Sequence, residues 1–288
     1  VDTIEVDTDI WPSVENGKGD EPVFFFSDGT GPEYTRIIAS GDLAGRVFRF
    51  RGTNLGSISY PSRFFEVRNV TITGGEAKMS GGGVHVMETD LRLRDDIIID
   101  NHARQGSGGG VLALNSKLLL EKVVFEENSA SSNGGGVHAE DSMVESLNNR
   151  FISNVASGGG GVSMNGGVLT QMRAHYEDNH AGYSVDQCAG GGALKGASDT
   201  VLEVRSSDFY SNSSLCAGGS VSLYRGELTM DDILIKDSSA VSNGGSMNLG
   251  VADVLISDLE VWGSTSGTFG GTFYVHDSEF KVVRAGVY

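Results

Sequence analysis

Eight Gly-Gly-x-apolar tetrads recur along this 288-residue chain at a nearly constant step. They are Gly81–Val84, Gly108–Val111, Gly134–Val137, Gly159–Val162, Gly190–Ala193, Gly218–Val221, Gly244–Met247 and Gly270–Phe273, with steps of 27, 26, 25, 31, 28, 26 and 26 residues. A fixed period in this range marks a solenoid, whose repeats bury their apolar faces only by stacking on one another. Further columns keep the same register. Ile98, Phe125, Phe151, Tyr176, Phe209, Ile235 and Val261 form one. Three residues later Asn101, Asn128, Asn154, Asn179 and Asn212 give way to Ser238 and Ser264. Leu91, Leu118, Val144, Leu169, Leu202, Leu228 and Val254 form another. Apolar and polar residues alternate within each unit, as in Leu91-Arg92-Leu93-Arg94, which gives strands with one buried face. Three short strands and three turns fit one coil of a parallel β-helix. The expected fold is an all-β, three-sheet solenoid of about nine or ten coils of ~26 residues.

The turn residues agree. Glycine supplies 42 of 288 residues, roughly twice the usual ~7%, and concentrates where the chain must bend or take φ > 0. A stacked Asn column bonds rung to rung as polar ladders do in cross-β stacks. The four prolines all lie before residue 62, which suits long ladder-bonded strands afterwards.

The tetrads combined with Phe125–Asn128 (FEEN), Phe151–Asn154 (FISN), Tyr176–Asn179 (YEDN) and Phe209–Asn212 (FYSN) resemble the paired GGA[ILV] and FxxN repeats of polymorphic outer-membrane proteins. That resemblance covers roughly residues 65 to 288 and implies a right-handed parallel β-helix. It departs from the family in having no barrel segment, and in a third tetrad residue that is usually Gly and later Ser or Thr. Autotransport and outer-membrane anchoring are therefore not expected of this segment.

Residues 65–288 read as the helix repeats. Residues 1–64 read as an N-terminal cap with the first coils, within one continuous domain. Phe280, Val282 and Val287 fall in register with Val254, Ile256 and Val261, and the chain opens on Val1. A processed chain or fragment, its last coil continued or covered by a partner, is the expectation. No apolar run approaches the ~18 residues of a membrane span, so no membrane insertion is expected. The net charge of −17 disfavours nucleic acid, which Lys and Arg clusters bind, and suits a secreted or extracellular surface.

Cys188 and Cys216 each precede their tetrad by two residues. Neighbouring strands lie ~4.8 Å apart, within disulfide reach, so a Cys188–Cys216 bridge is expected, and with it an oxidising compartment. Asn69 and Asn212 open glycosylation sequons, although Asn212 also sits in the turn ladder.

The most irregular coil holds Cys188. Eleven residues separate Asn179 from Gly190 where other coils use five to seven, and nine separate Ala193 from Leu202 where others use seven. Insertions in solenoids map to loops and often to the binding face. Lys195 stands where other coils place an inward apolar residue, so either the strand shifts or Lys195 turns out between the loops. His180, Tyr183, Asp186, Lys195 and Asp199 form the candidate binding patch. Asp100 and Glu127 stack on adjacent coils, where like charges repel and a bridging Ca²⁺ would relieve them. Otherwise no cofactor is expected. His85 and His138 read as exposed histidines two coils apart, too far to share a zinc ion. No outward cluster of carboxylates with His and Arg marks an active site, so the reading leans away from an enzyme. It favours a cell-surface adhesin or structural segment binding a glycan or an extracellular protein. The alternatives are a carbohydrate-active lyase, hydrolase or epimerase, and a filament or coat subunit stacking end to end.

Overall fold

The computed structural model describes residues 2–6, 23–26, 35–39, 45–51, 64–183 and 189–288. Every regular element among them is a β-strand, and strands of successive coils pair in parallel about one period apart. The fold is a parallel β-helix. Each coil carries four strand segments rather than the expected three, as in Val84–Met87, Asp90–Arg94, Ile97–Ile99 and His102–Ala103. The two-residue segment after the Asn column was the one missed. It builds a separate eight-stranded sheet, called the short sheet below. In later coils the first three segments fuse into one bent strand, such as Val221–Lys236 or Met247–Trp262.

Fusion is possible because the corners turn at single residues without leaving the ladder. Glu88, Asp95 and Asp100 take φ of 53°, 52° and 55°, and their equivalents in other coils do the same. Asp and Asn tolerate this left-handed conformation better than most residues, and they fill many of the corners. The acidic row Asp100, Glu127, Asp178 and Asp237 is one such line of corners. Backbone geometry accounts for residue choice there.

The core is a bundle of longitudinal columns. Phe125, Phe151, Tyr176 and Phe209 stack with centroids 4.9, 4.7 and 4.8 Å apart and rings within 11° of parallel. Beside them runs the Asn ladder, wholly buried from Asn101 to Asn212. In each rung the Oδ1 of one Asn accepts both the backbone N–H and the Nδ2 of the Asn one coil earlier. Asn154 accepts from Asn128 at 3.1 and 3.0 Å, and its own Nδ2 donates to Phe125 O and Asn179 Oδ1. The third tetrad residue is coupled to this ladder. A Cβ at Gly83 or Gly110 would lie 3.1 or 3.2 Å from the Cγ of Asn101 or Asn128. In two later coils that residue is Ser and the ladder position is Ser as well: Ser220 pairs with Ser238 at 2.6 Å, and Ser246 pairs with Ser264.

Two inward polar residues, Ser146 and Gln171, join a buried network instead of breaking the core. Asn149 Nδ2 donates to Ser146 Oγ at 2.8 Å, Gln171 Nε2 reaches the same oxygen at 3.3 Å, and the Tyr176 hydroxyl donates to Gln171 Oε1 at 3.0 Å. At the N-terminal side, Val23–Phe26 pairs with Phe64–Arg68, and Thr35–Ala39 pairs with Thr71–Thr73. At the other end Phe280, Val282 and Val287 pair with Val254, Ile256 and Val261.

Candidate functional site

The irregular coil is shifted by one residue relative to the sequence reading. Its tetrad is Gly191–Leu194, because Gly191 carries the corner φ of 70° and Leu194 pairs with Val162 and Val221. Lys195 therefore pairs with Ser163 and Ser222 in the outward column, and Gly196 takes the inward place beside Met164 and Leu223. A residual bulge between Ala197 and Thr200 is absorbed by Ser198 and Asp199, both at φ 59°. Of the two alternatives for Lys195, the strand shift is the one realised, and it turns the side chain out.

Once outside, Lys195 does not extend into solvent. Its stem lies across Gly158, where a Cβ would come within 2.9 Å of Lys195 Cδ and 3.1 Å of Asn133 Oδ1. Its ammonium donates to Asn133 Oδ1 at 2.7 Å, two coils away. Burial pulls the Lys195 pKa below its ordinary value. His138, in the same outward column two coils away, is 5% exposed, has no partner for Nδ1, and is held near pKa 4 by burial and by the Lys195 charge. His85 is 8% exposed and likewise near 4, through burial and the charges of Arg46 and Arg49. The expectation of exposed histidines is thus wrong for both. An outward column is solvent-facing only where no longer neighbour folds over it.

Lys195 closes one end of a groove of about 900 Å³ that climbs the outer face of the short sheet. Its middle is lined by Ser129, Ser131, Ser132, Asn133 and Ser157, its far end by His102, Arg104 and Glu76. Tyr183, 48% exposed, forms a wall beside Lys195 and anchors its hydroxyl on Ala130 O at 2.9 Å. Of the candidate patch, the structure brings Tyr183 and Lys195 together. His180 is turned to Ser213, with Nδ1 2.8 Å from Oγ, and does not line the groove. Asp199 is an exposed corner apart from it. Asp186 and Cys188 lie outside the described residues. Sequence reasoning missed the Ser129–Ser157 lining, whose signal was the serine-rich run at 129–132 on the short sheet.

His102 joins Asp100 to Ser129. Its Nε2 lies 3.0 Å from Asp100 Oδ1 and its Nδ1 2.6 Å from Ser129 Oγ. A carboxylate only accepts, so Nε2–H donates to Asp100 and Nδ1 accepts from the serine hydroxyl. This geometry could raise the nucleophilicity of Ser129. Its His–Ser half also recurs between His180 and Ser213 in the same column, and the N–H groups of His102 and Ser129 are committed to Gly75 O and Asn101 O. Neither is available to stabilise an oxyanion.

Asp100 is thus engaged by His102, and among the described residues no group of three His, Cys, Asp or Glu side chains is placed to hold a metal ion. The sequon asparagines differ from one another. Asn69 is a half-buried corner at φ 57°. Asn212 is fully buried, with Nδ2 donating to Tyr176 O and Oδ1 accepting from Asn179, so it offers no accessible amide to a glycan. On the long sheet a second recess, about 710 Å³, exposes Met143, Leu147 and Met172.

Residues 122–140 match the Chlamydia polymorphic membrane protein repeat. The match spans Phe125–Asn128 and Gly134–Val137, one unit of each paired motif. Comparison with curated proteins and with solved structures gives no significant match.

Proposed function

We propose that this chain is a surface-exposed β-helix whose short-sheet groove binds an extracellular ligand, a glycan or a protein surface, without turning it over. The observation that carries this reading is the groove itself. Its volume falls in the ~300–1,000 Å³ range of ligand sites, and it combines hydroxyl and amide groups with one exposed aromatic ring and one ammonium. Convergent polar groups beside an aromatic wall are what orientation-specific recognition requires. The polymorphic membrane protein repeat at 122–140 supports an extracellular setting. So does the proposed Cys188–Cys216 disulfide, which would staple the segment before Ala189 to the coil above. There is no free cysteine among the described residues.

A second reading, a carbohydrate-active enzyme in the same groove, is favoured by the Asp100–His102–Ser129 alignment. One experiment separates the two. The protein is screened on a glycan array and against the same glycans in solution, with and without Ca²⁺, and new reducing ends or unsaturated products are measured. Binding without products supports the binding reading. Turnover abolished by His102→Ala would replace it with the enzyme.

A further inference from the structure

Lys195 contrasts with the exposed cations of the coil surface. Arg68, Arg104, Lys117 and Arg284 each lie within 4 Å of a carboxylate, with side chains more than a third exposed. Lys195 is mostly buried, and among the described residues its bonded partner is a neutral amide oxygen, with no carboxylate in ion-pair range. The chain carries 38 carboxylate side chains against 21 Lys and Arg, and none of the carboxylates among the described residues lies in ion-pair range of this ammonium. A desolvated ammonium without an anion is costly. An amide acceptor satisfies one of its three N–H donors and none of its charge. The fold nevertheless holds it there: Gly158 clears the path for the stem, and Asn133 fixes the tip at the groove.

We propose that Lys195 is the recognition point for an acidic sugar, a uronate carboxylate or a sugar sulfate, bound along the serine-lined groove. This deepens the binding reading above and rests on it. The anion would sit at the Lys195 end, supplying a counter-charge that the described residues do not. The hydroxyl oxygens of Ser129, Ser131 and Ser157 line the groove as acceptors for sugar hydroxyls, their own protons being given to His102 Nδ1, Gly106 O and Ser131 O, and Tyr183 offers a ring face beside them. Other acidic ligands, such as acidic peptides, satisfy the ammonium but leave this hydroxyl row unused. Binding an anion favours the charged amine, so complex formation takes up protons where free Lys195 is partly neutral, and affinity falls as pH rises through that range.

The test uses the full chain and matched probes: uronate-bearing and sulfated oligosaccharides with their methyl-esterified or desulfated neutral forms. Titration calorimetry in two buffers of different ionisation enthalpy reads affinity and proton uptake together. The expected result is at least tenfold tighter binding of acidic forms. Lys195→Met, which keeps the stem over Gly158, should abolish that preference. Gly158→Ala, which keeps the amine but displaces it, should weaken the acidic probes while sparing the neutral ones. Equal binding of acidic and neutral forms, or an acidic preference that survives Lys195→Met in a protein of unchanged melting temperature, overturns the inference and leaves the binding reading standing. If no probe of either kind binds, the binding reading fails and the inference with it.

Discussion

Replacing Asn154 by alanine tests the proposition that the Asn ladder holds neighbouring coils together. The side chain makes four hydrogen bonds. It accepts the Asn128 N–H and Nδ2, and donates to Phe125 O and Asn179 Oδ1. In the variant, Asn179 Oδ1 keeps a donor, because the Asn154 backbone N–H already binds it at 3.1 Å. Two donors of Asn128 are stranded in a region with no access to solvent. At about 1–3 kcal/mol for each unsatisfied buried group, the cost is about 2–6 kcal/mol. The comparison is Ser238→Ala, at the same position three coils on, where the side chain makes a single hydroxyl contact with Ser220 and the cost should be about 1 kcal/mol. Urea unfolding gives the two differences. Hydrogen exchange at the Asn128 amide gives the local one even where a long solenoid departs from two-state behaviour. At tenfold per 1.4 kcal/mol, that amide should exchange at least tenfold faster in the variant. If the two substitutions cost the same to within about 0.5 kcal/mol, the well-separated scatter of independent sites, the ladder is not what binds the coils and the argument fails.

Val251 is a β-branched residue at a left-handed corner, φ 55°, where other coils place Asn115, Asp141 or Asp199. Val251→Asn should stabilise the protein by about 1 kcal/mol, read by urea unfolding; no gain would mean that the corner is not strained. Tyr176→Phe keeps the aromatic stack but removes the donor to Gln171 Oε1; a loss of about 1–2 kcal/mol is expected, and a neutral result would show that Gln171 finds another partner. His175 lies between Asp208 at 2.8 Å and Glu177 at 3.1 Å, and the Asp208 hydrogen bond leads in raising its pKa. A raised folded value means that the folded state binds the proton more tightly. The contribution is therefore complete below the unfolded value of about 6.5 and disappears as pH climbs through the higher folded value. Melting temperatures across this window should lose that limb in His175→Gln, and a ring titration by NMR should show a midpoint above 6.5.

Column-level properties were legible in the sequence because a solenoid repeats its constraints. The aromatic and Asn columns are each a single geometric demand expressed in coil after coil. What stayed hidden depends on one coil touching another out of period. Gly190–Ala193 looked like a tetrad because three successive glycines, Gly190 to Gly192, allow two registers, and only the pairing of Leu194 with Val162 and Val221 decides between them. The orientation of Lys195 follows from that single residue. Its destination at Asn133 follows from Gly158, 37 positions earlier. His85 and His138 were read as exposed because alternation tells inside from outside of the coil, and carries no information about which long side chain folds across an outward column. Ser146 and Gln171 interrupt an apolar column, and only the three-dimensional placement of Asn149 and Tyr176 completes their bonds. In the candidate patch, Tyr183 and Lys195 share a groove and His180 does not, a distinction set by loop geometry that no repeat encodes.

The left-handed corners carry one more consequence. Among the described residues, eleven acidic and four basic residues occupy them, arranged in lines that rise with the coils at the ~4.8 Å spacing of neighbouring strands. Part of the chain's acidity is therefore generated by the way it turns. Each added coil adds corners, and each corner prefers the residue types that bring negative charge. Seen from a distance, the stacked coils present corner lines whose net charge is negative, a surface that draws mobile cations to its sides. Two such stacks lying side by side would repel along their whole length, at a range set by ionic strength, so parallel packing is discouraged by the same residues that let the backbone close each coil.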